Sequence, residues 1–357
     1  MPYDLAILGW DDTRAAEFSA LEATFTRPLT PGRVSRVDRG AVTVLTKDGE
    51  DRARPSGRLF HHATATDDNG NPAVGDWVAL DGPVVVAVLA RRSSFQRADA
   101  SGESVAQVVA ANVDTVFVVA PLIGRPRPRL VQRCLALAWQ SGAAPVVLLT
   151  KKDLCPDVET RLEQARTEVV GVSGIAVHAV SAVTGDGLDD LDRYLSPGAT
   201  VAMIGPSGAG KSTLANALGH GLVDLATGAI RDDGRGRHTT TARELVMLTG
   251  GAVAIDTPGL RGLALWEADD GIVAIFADID ELARNCRFAD CQHRGEPGCA
   301  VVRAIDQGDL AAERLADYQK LQREQRWIKT RRDARARSQE RARIKAFSRK
   351  IRDQPHR

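Results

Sequence analysis

Eight residues constrain this chain more than any others: Gly205-Pro206-Ser207-Gly208-Ala209-Gly210-Lys211-Ser212. They spell G-x-x-x-x-G-K-S. An apolar run, Thr200-Val201-Ala202-Met203-Ile204, precedes them, and a good helix former, Thr213-Leu214-Ala215-Asn216-Ala217-Leu218, follows. A strand, a glycine-rich loop and a helix in that order make a phosphate cradle, because the curled backbone turns its N–H groups inward and the helix start adds positive partial charge. In such a loop Lys211 reaches the β- and γ-phosphates and the Ser212 hydroxyl ligates Mg²⁺. The stretch from Gly205 to Thr213 is therefore expected to hold a nucleoside triphosphate.

At 357 residues the chain is long enough for two or three domains, and 43% apolar residues suffice for their cores. No apolar run approaches the roughly 20 residues of a membrane span, and Met1-Pro2-Tyr3-Asp4 does not open a signal peptide. Five cysteines, two of them isolated at Cys134 and Cys155, argue against a disulfide scaffold. A cytoplasmic protein without membrane contact is expected. The formal net charge of +1 hides an asymmetry: from Arg323 onward there are 14 Lys/Arg against 4 Asp/Glu. Ordinary solvated helices mix signs. This tail reads as a basic helix suited to a polyanion such as rRNA.

Three patterns follow one another along the chain. Residues 1–31 form a lead with helical spacing over Ala15–Leu21, ended by Pro28 and Pro31. Residues 32–98 alternate in short runs with turn signals at Lys47-Asp48-Gly49-Glu50 and Asp81-Gly82, which suggests a small barrel of the OB type. Its arginines (Arg33, Arg36, Arg39, Arg52, Arg54, Arg58, Arg91, Arg92, Arg97) would suit a nucleic-acid backbone. Residues 99–280 alternate strands with helices, with helices expected near 159–170 and 187–195, and so imply a parallel sheet with its ligand at the carboxyl ends of the strands.

The base follows from Thr150-Lys151-Lys152-Asp153, which resembles the N-K-x-D guanine motif with threonine in place of asparagine. A carboxylate at Asp153 accepts from the ring N1–H and the exocyclic amine of guanine, a pair that adenine does not offer. Lys151 packs along the base, and Lys152 completes the loop. Ser181-Ala182 follows the next strand, where a backbone N–H can meet guanine O6. Downstream of the P-loop, Gly234–Thr241 has the composition of a switch loop, in which Thr239 or Thr240 would complete Mg²⁺ coordination. Asp256-Thr257-Pro258-Gly259 then gives D-x-x-G, with Asp256 holding Mg²⁺ through water and the Gly259 N–H sensing the γ-phosphate. The usual order of these motifs starts at the P-loop. Here the base-reading pair comes first, a circular permutation that leaves the site intact and runs D-x-x-G directly into the last domain.

That domain, 281–321, contains Cys286, Cys291, His293 and Cys299 within fourteen residues. Three thiolates and one imidazole fit a closed tetrahedral Zn²⁺ site, one structural ion with no position left for substrate.

With these motifs in place the chain resembles the RsgA-type GTPases, the circularly permuted family dependent on the small ribosomal subunit. The resemblance rests also on Leu8-Gly9-Trp10, Gly75-Asp76-Trp77-Val78, Gln107 with Ala110–Asp114, Gly236–Thr240 and Glu296–Val301. It implies a barrel (OB-fold), a permuted α/β GTPase, a helical zinc domain and a basic helical tail at 322–357. It implies GTP hydrolysis stimulated by the small subunit during its late maturation, with rRNA, GTP and GDP as partners and a monomeric protein. It also implies that His238 positions the attacking water, since Leu260 after D-x-x-G is apolar, while Lys211 serves catalysis. A second reading is an RNA-binding checkpoint whose nucleotide state sets its ribosome affinity, with turnover incidental.

Overall fold

The computed structural model describes residues 2–57, 59, 70–97, 107–124, 128–170, 175–219, 244–248, 250–256, 276–320 and 322–323. The lead forms α1 (Asp12–Glu22), whose N-cap Asp11 accepts from the Arg14 N–H at 2.9 Å. Then come β1 (Thr30–Asp38), β2 (Ala41–Thr46), β3 (Gly49–Pro55), β4 (Trp77–Asp81) and β5 (Val84–Val88). Their pairing runs β1-β2-β3-β5-β4 and closes through β1 against β4. Only β3 and β5 run parallel. This is the five-stranded barrel expected, with OB connectivity.

Closure requires β1 to serve two neighbours. A bulge between Val34 and Arg36 turns it, so that its first half pairs with both β2 and β4. At the crossing, a Cβ on Gly32 would sit 2.4 Å from Val44 Cγ1, so no side chain fits. Val34, Val42, Val44, Ala53, Val78, Leu80 and Val85 fill the interior.

A two-stranded ribbon, β6 (Ser94–Arg97) with β7 (Gln107–Ala111), leads into the second sheet. That sheet comprises β8 (Thr115–Pro121), β9 (Ala144–Thr150), β10 (Ala176–Ala179), β11 (Thr200–Ile204), β12 (Glu244–Met247) and β13 (Val253–Asp256), in the order β10-β9-β8-β11-β13-β12, and β12 pairs in turn with β1 of the barrel at Glu244 and Arg36. All but β12 are parallel. Both faces are buried, as a parallel sheet demands. Phe117 and Val119 face Leu191, Leu214 and Leu218, while Val116 and Val118 face the opposite layer with Val131 and Leu135. The helices are α2 (Pro128–Ser141), α3 (Val158–Gln164) and α4 (Lys211–Leu218). Near 187–195, where a helix is expected, there is instead a six-residue 3₁₀ segment, Asp189–Tyr194. Gly185 and Gly187, both at positive φ, delay its start and leave too few residues for an α-helix. The C-terminal region carries α5 (Ala277–Ala283) and α6 (Ala300–Gln307).

The structure corrects two of the arginines read as nucleic-acid contacts. Arg33 is only 1% exposed, and the Arg91 side chain is 8% exposed in an ion pair with Asp76 at 2.7 Å. Both hold the barrel and its neighbours together. Arg39, Arg52, Arg54 and Arg92 do lie at the surface. Arg58, the side chain of Arg97, and the basic tail beyond Arg323 lie outside the described residues.

Candidate functional site

Strands β9, β10, β11 and β13 run parallel in one sheet, with β8 between β9 and β11, so the segments leaving their carboxyl ends share one edge. Thr150–Asp153 leaves β9, Ser181-Ala182 follows β10, Gly205–Ser212 leaves β11, and Asp256 ends β13. Motifs scattered over a hundred residues of sequence thus meet along the edge where α/β sheets bind ligands.

The P-loop is shaped by its glycines. Gly205 has φ 149°, and a Cβ there would lie 2.1 Å from the Val119 carbonyl oxygen, so strand β8 presses directly on the loop. Gly210 has φ 90° and caps α4 without any side-chain bond, leaving the first N–H groups of the helix to a ligand. The Lys211 ammonium donates to the Gly205 and Pro206 carbonyls at 2.9 and 2.7 Å. It spans the mouth of the loop, where incoming phosphate oxygens would take over its donors. Ser212 and Thr213 begin the helix, half-buried and exposed respectively.

The base-reading loops are tied to this cradle and to each other. Thr150, 2% exposed, has its Oγ1 2.5 Å from the Ala209 carbonyl of the P-loop and 3.3 Å from that of Ala120. Lys151 then takes a left-handed conformation, φ 64°, and starts a short 3₁₀ turn, Lys152–Leu154. The fully buried Ser181 donates its hydroxyl to Asp153 Oδ1 at 2.6 Å and fixes that carboxylate. The Lys152 N–H donates to the Val180 carbonyl at 3.2 Å, and its ammonium pairs with Asp186 at 2.9 Å. Asp186 also receives the Ser181 N–H on its carbonyl. The sequence reading missed Asp186, which stands in an ordinary T-G-D-G turn, and, although it placed Ala209 in the phosphate loop, it missed that residue's backbone bond to Thr150.

The backbone of Asp256 ends β13 beside β11, consistent with D-x-x-G at that edge. Gly259, His238, Thr239 and Thr240 lie outside the described residues.

The second constellation lies in the loop between α5 and α6. One ligand atom each from Cys286, Cys291, His293 and Cys299 falls within 4.8 Å of the others. Cys286 Sγ is 3.9 Å from Cys299 Sγ and 3.7 Å from His293 Nδ1, and His293 Nδ1 is 3.4 Å from Cys299 Sγ. Metal–ligand bonds of about 2.3 Å to sulfur and about 2.0–2.1 Å to nitrogen give tetrahedral edges of about 3.8 and 3.6 Å. The donor set therefore fits one tetrahedral ion. Burial pushes the His293 pKa below its ordinary value and favours the neutral, ligating ring. Backbone N–H groups of Ala300 and Val302 donate to Cys286 and Cys299 at 3.4 Å, which suits thiolates at the start of α6. Glu296 accepts from the Gln292 and Arg294 N–H groups and folds the ligand loop. It is a further positioning residue, met in sequence only as the start of the Glu296–Val301 stretch that carries part of the resemblance.

Among the described residues no helix is long and apolar enough to cross a membrane.

The RsgA GTPase family model matches residues 88–266. The small ribosomal subunit biogenesis GTPase RsgA of Streptomyces coelicolor is 47% identical, over 94% of this chain and 90% of that one. The protein of the same name from Opitutus terrae is 45% identical, covering 92% of each. Among solved structures, YjeQ from Thermotoga maritima superimposes with a TM-score of 0.61 at 26% identity, over 83% of this chain and 98% of that one. YloQ, described as a circularly permuted GTPase, gives a TM-score of 0.57 at 26% identity, over 84% and 95%.

Proposed function

The chain belongs to the RsgA GTPase family, and on that footing we propose that it hydrolyses GTP at the edge formed by β9, β10, β11 and β13, in the service of small ribosomal subunit maturation. The observation that carries this is the double tie between base-reading and phosphate-binding loops: Thr150 to Ala209, and Ser181 to Asp153. An adenine-binding P-loop protein has no need of a buried serine aiming a carboxylate at this place.

In this reading Asp153 takes the N1–H and exocyclic amine of guanine, and Lys151, Lys152 and Ala182 line the base. The N–H groups of Gly205–Ser212 and the start of α4 hold the phosphates. Lys211 neutralises the charge that grows on the β–γ bridge and γ-phosphate oxygens, where a preorganised cation lowers the barrier most. Ser212 and Asp256, with Thr239 or Thr240, would hold Mg²⁺, which supplies further charge neutralisation when bound. His238 orients the attacking water, and Gly259 senses the γ-phosphate.

The Cys286, Cys291, His293 and Cys299 ion is zinc and structural, because four protein ligands leave no open position. The barrel, 32–98, and the basic tail, 322–357, contact rRNA, and the nucleotide state governs release of the protein from the subunit. Hydrolysis by purified protein, with and without small subunits, tests the reading. GTP turnover resisting ATP competition and rising on subunit addition is the expected result. Equal competition by ATP would remove the guanine assignment.

A further inference from the structure

Among the described residues the barrel and the second sheet share one strand pairing, β1 with β12 at Arg36 and Glu244. The bulge in β1 decides where it falls. Ahead of the bulge, Thr30 to Arg33 give that edge of β1 to β4, and past it the edge passes to β12. On the far side of β12, Glu244 stands opposite Asp256, the last residue of β13. Arg36, Glu244 and Asp256 therefore occupy one rung across neighbouring strands. The backbone span from the barrel to the D-x-x-G motif is about 10 Å.

Side chains reinforce the same rung. The Arg36 guanidinium donates to Glu244 at 3.4 Å and to Asp38 at 3.2 Å, and Asp38 in turn meets Arg52 at 3.6 Å. Charges thus alternate from Arg52, 66% exposed on the barrel surface, through Asp38 and Arg36 to Glu244 on the sheet. With side chains 38% and 53% exposed, the Arg36–Glu244 pair adds little to folding stability. What it does is set where β12 starts. Glu244 comes four residues after Thr240 in sequence and pairs with the strand that ends in Asp256.

We propose that Arg36 and Glu244 are positioning residues for subunit-stimulated hydrolysis. Docking of RNA on the barrel fixes β1, and the pair passes that fixation through β12 to Asp256 and to the chain that follows Thr240. This rests on the proposed function, which gives RNA to the barrel and Mg²⁺ to Asp256 with Thr239 or Thr240. Both residues act through the strand and not on the nucleotide.

The test is single-turnover GTP hydrolysis by the full-length, zinc-loaded protein, alone and across a titration of small ribosomal subunits. Glu244→Gln keeps the side-chain shape and every barrel cation, and removes one charge. Its basal rate and half-saturating subunit concentration should stay within about twofold of the parent, as for other surface substitutions. Its rate at saturating subunits should fall by about fivefold or more. Arg36→Gln should lower the saturated rate to the same extent, and the double variant no further, because each substitution removes the same pair. A pair that only stabilises the fold would lower melting temperature and basal rate together. An RNA contact by Arg36 alone would raise the half-saturating concentration of Arg36→Gln and leave Glu244→Gln like the parent. Either pattern overturns the proposal, as does an additive loss in the double variant. A parent chain that small subunits do not stimulate overturns the proposed function and the pair's role with it. A stimulated parent whose Glu244→Gln variant is stimulated in full overturns the pair's role alone.

Discussion

Thr150 has a single hydroxyl proton, and its 2.5 Å approach to the Ala209 carbonyl shows where that proton goes. The residue that replaces asparagine in the guanine motif therefore works as a tether between loops. Thr150→Val keeps the shape and removes the donor, leaving a buried P-loop carbonyl unsatisfied at a cost of about 1–3 kcal/mol. Thermal melting of the nucleotide-free protein should show that loss and titration should show weaker GTP binding, with Thr150→Ser restoring both. In the proposed reading Asp153 acts on the base itself. Asp153→Asn should lower GTP affinity by at least about a hundredfold while improving acceptance of xanthosine triphosphate, since the amide no longer matches guanine's two donors. Competition binding with the two nucleotides measures the exchange. His238→Ala is expected to leave GTP binding nearly intact and to sharply lower single-turnover hydrolysis on saturating small subunits. An unchanged rate would give the histidine to binding instead. The motif residues were legible because each has a chemical signature at fixed spacing. The tie of Ala209 to Thr150 and the part of Asp186 were not, because the first is a backbone contact and the second a fold-made contact with Lys152 and Ser181.

At the scale of elements, the clearest dependence is that of α6 on the cluster before it. Cys299 is the N-cap of α6, accepting from the Val302 N–H, and Ala300 donates to Cys286. The helix start and the metal ligands are one structure, so metal binding and local folding are coupled. The cysteines report on this. Cys134 is buried, and its surroundings push the thiol up to about 11, leaving little nucleophilic thiolate at neutral pH. Cys155 is half-buried and outside the cluster. Alkylation of native, metal-loaded protein at pH 7.5 should therefore label Cys155 first and spare the other four. Chelation should then release one zinc per chain and open Cys286, Cys291 and Cys299 while Cys134 stays protected. Mass mapping of the modified residues decides it, and equal labelling before and after chelation would deny the metal site. The ligand spacing was readable in sequence. The 3₁₀ segment at Asp189–Tyr194 was not, since its apolar residues Leu188, Leu191 and Leu195 fit a helical period and only the preceding glycines shorten it.

Across the whole molecule, the barrel and the permuted sheet were legible because alternation in one half and buried apolar runs in the other are backbone patterns. What joins them was not legible, because an arginine in a strand reads the same whether it faces solvent or a seam. Arg33 is the buried side-chain joint, beside the backbone pairing of β1 with β12 at Arg36 and Glu244. It bonds to Leu8 of the lead, to Gly75 beside the barrel, to Asn112 of the connection and to Thr200, the first residue of the strand that ends in the P-loop, and lies 5.5 Å from the Trp77 ring centroid. Arg33→Met retains much of the volume and removes a buried charge, which by itself can be neutral or favourable. It also strands two buried carbonyls, those of Leu8 and Asn112, each costing about 1–3 kcal/mol, while the Gly75 carbonyl keeps the Asn112 side-chain amide. The net effect should be destabilisation by about 2 kcal/mol or more, concentrated at the seam. Calorimetric melting is expected to turn a transition shared by barrel and sheet into two, the sheet's alone rising when GDP and Mg²⁺ are added. A single transition in Arg33→Met, shifted by GDP as a whole, would show that the β1–β12 pairing at Arg36 and Glu244 holds the two units without Arg33.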